Sequence, residues 1–226
     1  MFLHSHPYPP FIDEDSTRLI VGTLPPPRFT TGLLKEGDVD FCYGSRDGQL
    51  WRILDRIYSL ELVYETSQRA IRQRKEFLKK QKIGVCDIVE SAKRHKIDAS
   101  DLGMQDVILR DILSYLKKYE KVDTLIFTGG NSKNGPEYFF RKILKEKRIP
   151  LEVVDDQVPR KHKFLLEAKK NRIIHTVSLT APSGAANRAV GSLLAFKRVK
   201  SVNPNYNTFD FRIDQYRPVF MDKMSY

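Results

Sequence analysis

Cysteine is scarce in this chain: Cys42 and Cys86 are the only two among 226 residues. Two thiols are too few for a disulfide framework, a four-thiolate zinc site or an iron–sulfur cluster. No apolar stretch is long enough to span a bilayer. The opening MFLHSHPYPPF lacks a basic segment followed by an apolar one, so no secretory leader is expected there. Internal repeats, low-complexity tracts and linkers rich in glycine or serine are also missing. Neither G-x-G-x-x-G nor G-x-x-x-x-G-K-[ST] occurs, which removes the commonest loops for dinucleotides and nucleoside triphosphates. His4, His6, His95, His162 and His175 are scattered rather than spaced as metal ligands. These absences lead to the expectation of a single domain over 1–226, reduced and intracellular, with no metal, no cofactor and no membrane association. No heptad or exposed apolar stripe calls for assembly, so a monomer is expected.

Negative charge is also in short supply. There are 28 Asp+Glu against 39 Lys+Arg, a formal net charge of +11. The cations cluster, as RQRK and KK within 72–80, KRHK at 93–96, RKHK at 160–163, KK at 169–170 and KR at 197–198. Clustered cations on a folded domain favour a polyanionic partner, because neutralising phosphates releases condensed counterions. Nucleic acid is the leading partner on this ground; a solvated basic surface is the plainer alternative.

What is abundant is alternation of strand-like and helix-like segments. RLIVGTL (18–24), IGVCDIV (83–89), VDTLIFTG (122–129) and RIIHTVSLT (172–180) are nearly continuous apolar runs, as in parallel strands covered on both faces. LEVVD (151–155) is a fifth, edge candidate. Helical spacing is expected over 48–58, 67–81, 104–118, 136–147 and 185–199. The pattern predicts a three-layer α/β/α sandwich around a central, mainly parallel sheet of four to five strands.

Ligands of such sheets bind at the carboxyl ends of the strands. The loops to inspect are therefore LPPPRF, CDIVESAKR, GGNSKNGP and TAPSGAANR. Pro25–Pro27 predicts a stiff extended path, either a pocket wall or a loop without a ligand. GGNSKNGP suits an ordinary turn better than a phosphate cradle. Pro182-Ser183-Gly184 precedes an apolar-periodic stretch, placing Ser183 or Gly184 near a helix N-cap, with Arg188 in the first turns.

Taken together, HPYPPF (6–11), LIVGTLPPPRF (19–29), CYGSRDGQLWRIL (42–54), GVCDIVESAKR (84–94), LTAPSGAANRAVG (179–191) and the tail NTFDFRIDQYR (207–217) form an ordered set. The set resembles the uracil-DNA glycosylase superfamily, nearest to its mismatch-specific and hypoxanthine-type branch, and spans most of the chain. The resemblance implies a DNA repair enzyme that flips a damaged or deaminated base from DNA and hydrolyses its N-glycosidic bond. A DNA-binding relative without hydrolysis, or an enzyme acting on a nucleoside or nucleotide, would use the same pocket. It implies further that Gly22, Thr23, Leu24, Pro25 and the following Pro26 line the base pocket beside the sugar. Tyr43 would stack on the flipped base and Asp87 would read its edge. The segment Ala181–Arg188, with Ser183, Gly184 and Arg188, would enter the minor groove and grip a phosphate.

Three positions depart from the pattern. Leu24, Gly48 and Leu179 stand where many relatives carry Asp or Asn, Asn, and His, so catalytic assistance is expected elsewhere. Asp47 is the candidate, with Asp40 and Gln49 as substitutes. Asp47 also precedes an apolar helix, where Asp commonly serves as an N-cap.

Overall fold

The computed structural model describes residues 1–97 and 101–221. The central sheet has six strands in the order β3-β2-β6-β9-β8-β7. They are β2 (Arg18–Val21), β3 (Ile83–Val85), β6 (Thr124–Phe127), β7 (Glu152–Asp155), β8 (Arg160–Glu167) and β9 (Arg172–Ser178). The four apolar runs expected as strands supply its parallel part, with β2 between β3 and β6, and β6 against β9. LEVVD forms β7 at the edge. The additional strand is β8, antiparallel to both β9 and β7. Its sequence RKHKFLLE reads as a basic cluster, yet His162 and Phe164 alternate inward while the neighbouring residues point away.

A second sheet, of three antiparallel strands, joins β1 (Phe2–Ser5), β4 (Val89–Arg94) and β5 (Gln105–Leu109) in the order β1-β4-β5. Here the structure corrects the expectation of one helix over 104–118. Residues 105–109 are extended and pair with β4. The helix α4 (Ile112–Lys118) starts only at Asp111, whose carboxylate accepts from the Ser114 amide at 3.0 Å. Ile108, which completes the spaced stripe in the sequence, is 55% exposed. Strand pairing outweighs a periodicity that Val107 and Ile108 satisfy equally well as β-branched strand residues.

Helices cover both faces of the central sheet. Leu19, Val21, Leu125 and Phe127 pack on one side with residues of α4 and α5 (Pro136–Glu146). Ile20, Ile126 and Val177 pack on the other, with residues of α2 (Leu50–Tyr58), α3 (Gln68–Lys80) and α8 (Thr208–Met221). Residues adjacent along one strand thus serve opposite layers, the arrangement of a three-layer sandwich. The helix expected over 185–199 is divided. A 3-10 turn at Gly184–Ala186 leads into α6 (Asn187–Ser192), and α7 (Leu194–Val202) begins after Leu193, whose backbone is extended at φ −66°, ψ 133°. Gly191, a poor helix former, lies just before the break. Among the described residues, no helix is long and apolar enough to cross a membrane.

Candidate active site

A cavity of about 490 Å³ opens at the carboxyl ends of β2, β3, β6 and β9, within the size range of small-molecule sites. All four loops singled out by the strand pattern contribute to its lining, with Thr23–Pro26, Asp87, Thr128–Gly130 and Thr180–Ser183 among the residues involved.

Its floor is a closed hydrogen-bond set around Asp87. One carboxylate oxygen accepts from the Gly22 amide and from the Tyr43 hydroxyl, both at 2.8 Å. The other accepts from His6 Nε2 at 2.9 Å. The Tyr8 amide donates to His6 Nδ1, which fixes the imidazole as the Nε2–H tautomer. The Tyr43 hydroxyl also meets Thr128 Oγ1 at 3.0 Å. Burial, and then the Asp87 charge, push the Tyr43 phenol well above its ordinary pKa, so it stays protonated. Tyr43 sits in the left-handed region at φ 57°. For a bulky residue that conformation is strained and persists only where the surroundings over-determine it. Gly22 is required for a different reason. A Cβ there would lie 2.2 Å from the Tyr43 hydroxyl and 2.8 Å from Asp87.

The first wall is the proline loop. Pro25 and Pro26 line the cavity. Pro27 opens a single helical turn, α1 (Pro27–Thr30). The run is therefore a wall, with Pro27 at the helix position where a missing amide is harmless. Arg28, next along, holds the loop that carries Asp47. Its guanidinium donates to both oxygens of the fully buried Asp38, at 2.7 and 2.8 Å, and to Ser45 Oγ at 2.9 Å. Asp38 also accepts from the Lys35 and Arg46 amides. Burial alone would raise the Asp38 pKa. Arg28 and the two amides outweigh it and draw the carboxyl down to about 2.

Asp47 lies at the mouth, with its side chain 68% exposed. It does not cap α2. Gln49 occupies that N-cap position, and no side chain makes the cap bond. The Asp47 carboxylate instead accepts from Arg28 at 3.2 Å, and Arg46 Nε stands 3.9 Å away. The hydrogen bond to Arg28 occupies the carboxylate in place of the helix amides. Gln49, lining the cavity, has a buried Oε1 with no hydrogen-bond partner. Asp40 is engaged elsewhere, accepting from the Tyr8 hydroxyl at 2.7 Å.

The opposite wall is the loop after β9, and α8 shapes it. Gln215 Oε1 accepts from the Thr180 amide and hydroxyl, at 2.8 and 2.9 Å. The Tyr216 hydroxyl donates to the Thr180 carbonyl. Arg212 is fully buried and donates to the carbonyls of Ala181 and Ser183, to Asn187 Oδ1 and to the Thr208 carbonyl. The Gln49 amide donates to the Pro182 carbonyl, and Gly48 bridges Ser183, so the two walls meet. Ser183 makes no side-chain cap bond, and α6 is only six residues long. A strong helix-terminus anion site, as expected for a long helix over 185–199, is therefore not built here. Gly184 and Arg188 are exposed at the tip.

The remaining lining includes residues the sequence did not single out. Arg160, at the start of β8, reaches the cavity wall and donates to the buried Glu137 at 2.7 Å. Gly130 leaves room for it, since a Cβ there would meet the guanidinium at 2.9 Å. Asp101 lines the cavity from a 3-10 turn at Asp101–Gly103 and accepts from Thr23 Oγ1 at 2.7 Å. Burial pushes its pKa up to about 6, against the opposing pull of the Thr23 hydroxyl and Arg94. No local pattern marks Asp101, because only the tertiary fold brings it to Thr23. Arg212 and Gln215 carried a weak signal, as polar residues on the face of α8 that also holds Tyr216 and Val219.

No family model matches the chain. A hypoxanthine DNA glycosylase from Methanosarcina barkeri is 30% identical over 118 residues, which are 49% of this chain and 65% of that protein. The match thus spans just under two thirds of the relative's length. In a solution NMR structure of a protein from Methanosarcina acetivorans, named as a candidate uracil DNA glycosylase, the fold is similar with a TM-score of 0.55. That similarity covers 96% of this chain and 98% of the other, at 16% identity. The chain is thus similar over about half its length to a hypoxanthine DNA glycosylase, and it shares the layered fold of the Methanosarcina acetivorans protein.

Proposed function

We propose that the chain is a DNA N-glycosylase that turns a damaged or deaminated base out of the helix and hydrolyses its bond to the sugar. The observation that carries this reading is the cavity floor, where Tyr43, Asp87, Gly22 and His6 form one hydrogen-bonded unit at the carboxyl edge of the sheet. A flipped base needs an aromatic surface and fixed polar groups for its edge. Tyr43 supplies the ring and Asp87 the polar edge, while Thr23, Leu24 and Pro25 enclose the sugar side. At the mouth, Ser183, Gly184 and Arg188 stand where a backbone loop can enter the minor groove, and Asp47 with Arg28 flanks the entry. The net charge of +11 supplies sequence-independent affinity for DNA.

Labelled duplex and single-stranded DNA carrying uracil, hypoxanthine, xanthine or mismatched thymine tests the proposal, with alkali cleavage reporting abasic sites. At least one of these substrates is expected to yield abasic sites. Salt-sensitive DNA binding without cleavage on any of them would instead support a binding protein that has lost hydrolysis. That second reading draws on Leu24, Gly48 and Leu179, which carry no catalytic group at the family's usual positions.

A further inference from the structure

Among the described residues, three carboxylates line the cavity: Asp47, Asp87 and Asp101. Two of them already have partners. Asp87 accepts from three internal donors across its two oxygens, which fixes it in the floor as the proposed reader of the base edge. Asp47 is largely in solvent and paired with Arg28. Asp101 is different. One oxygen accepts from Thr23 Oγ1, and the other accepts no hydrogen bond from any described residue. The backbone beneath it is fixed by its own turn and by one other loop, since the Asp101 carbonyl accepts from the Met104 amide at 3.1 Å and from Asn134 Nδ2 at 2.9 Å. Asn134 itself is buried and holds a left-handed φ of 63°. Thr23 follows directly on Gly22, so the carboxylate is attached to the same strand end as the floor. The turn after β4 thus places a half-free carboxylate beside the segment where Leu24 offers no polar group.

We propose that Asp101 is the catalytic base of the glycosylase reaction, an assignment that rests on the glycosylase reading above. As the bond from the sugar C1′ to the base nitrogen breaks, its electron pair leaves with the base, and cationic character develops on the sugar. The water oxygen bonds to C1′ while the Asp101 carboxylate takes the water proton. Asp101 then gives that proton, directly or through solvent, to the departed base, leaving an abasic sugar, a neutral base and the original carboxylate. A fixed anion beside the sugar also stabilises the developing cation.

Among the described residues, the groups acting on Asp101 come from three places: the Thr23 hydroxyl on the loop after β2, Arg94 on β4, and Asp87 in the loop after β3. Burial and Asp87 raise its pKa, whereas Thr23 and Arg94 lower it. Because the base must be ionised to work, single-turnover cleavage should rise with pH through about 6 and then level off.

The test is Asp101→Asn, measured for cleavage and for binding to a duplex containing a tetrahydrofuran abasic analogue. Cleavage should fall by about a hundredfold or more, analogue binding should match the unchanged protein, and the low-pH limb should vanish from the residual rate. Thr23→Val provides a milder variant should Asp101→Asn melt early. Removing the donor that favours the carboxylate should move the low-pH limb upward and lower the rate by less. Asp101→Asn cleaving within threefold of the unchanged protein, or Thr23→Val leaving the limb in place, overturns Asp101 while the glycosylase reading stands. An unchanged protein inactive on every substrate overturns both.

Discussion

At the floor of the cavity each polar group answers another: Asp87 receives Gly22, Tyr43 and His6, and Tyr43 also meets Thr128. At the mouth, Asp47, Gly184 and Arg188 are exposed, Ser183 caps nothing, and Gln49 keeps an unpartnered Oε1. The floor is fixed by its own hydrogen bonds. The mouth is fixed from behind, through Arg28 and Asp38 on one side and Arg212, Gln215 and Tyr216 on the other. Under the proposed glycosylase reading, that division suits a site that recognises one base and admits a long polymer, with a rigid reader below and spare donors and acceptors above.

The comparison breaks most directly at Gly22. Gly22→Ala forces a methyl group into the Tyr43 hydroxyl and the Asp87 carboxylate. It should lower stability by about 2–3 kcal/mol and cleavage by about a hundredfold or more, read from thermal melts and single-turnover rates. The mouth has its own weak point in Arg212→Met. That change strips partners from the Ala181 and Ser183 carbonyls and from Asn187. A loss of about 2 kcal/mol in urea titrations is expected, with DNA affinity falling more than the affinity for a free base.

Acid should loosen the frame behind the mouth through Asp38. Asp38 has its pKa lowered from 3.8 to about 2. Its ionised form therefore stabilises the Arg28–Asp38 frame fully above the unfolded value, and that support disappears as pH falls toward the folded one. The urea midpoint should decline between pH 4 and 2, whereas Asp38→Asn should start lower at pH 6 and decline less over the same window. The smallest effect belongs to Asp47→Ala. With the carboxylate in solvent and no cap bond to lose, stability should stay within about 0.5 kcal/mol. A melting temperature lower by many degrees would restore a structural role for this residue.

The sequence foretold the layers better than the polar wiring. Val21, Phe127 and Val177 advertise buried parallel strands by apolar continuity, a signal that survives without any tertiary information. The five residues of β5 did not, because Met104, Val107, Ile108 and Ile112 satisfy a helical repeat, and only pairing with β4 decides otherwise. β8 was hidden by its charge, since RKHK looks like surface until Arg160 and His162 find Glu137 and Arg141. Within the site, Tyr43 and Asp87 came through the resemblance, and the structure joins them by one bond. Asp101 had no such mark. Asp47 was read from its neighbours in sequence, which is sound for a cap but blind to Arg28 19 residues earlier.

The attachment of the Thr180 loop to α8 divides the site by the free energy needed to open it. The Thr180 amide is bound to Gln215, on a helix that also covers one face of the central sheet, so exposing that amide means lifting α8 from the core. Its hydrogen exchange should track global unfolding. Gly184 and Ala185, four and five residues on and exposed, can exchange through local opening alone. The loop that we propose enters DNA is therefore free at its tip and as stable as the whole fold at its root.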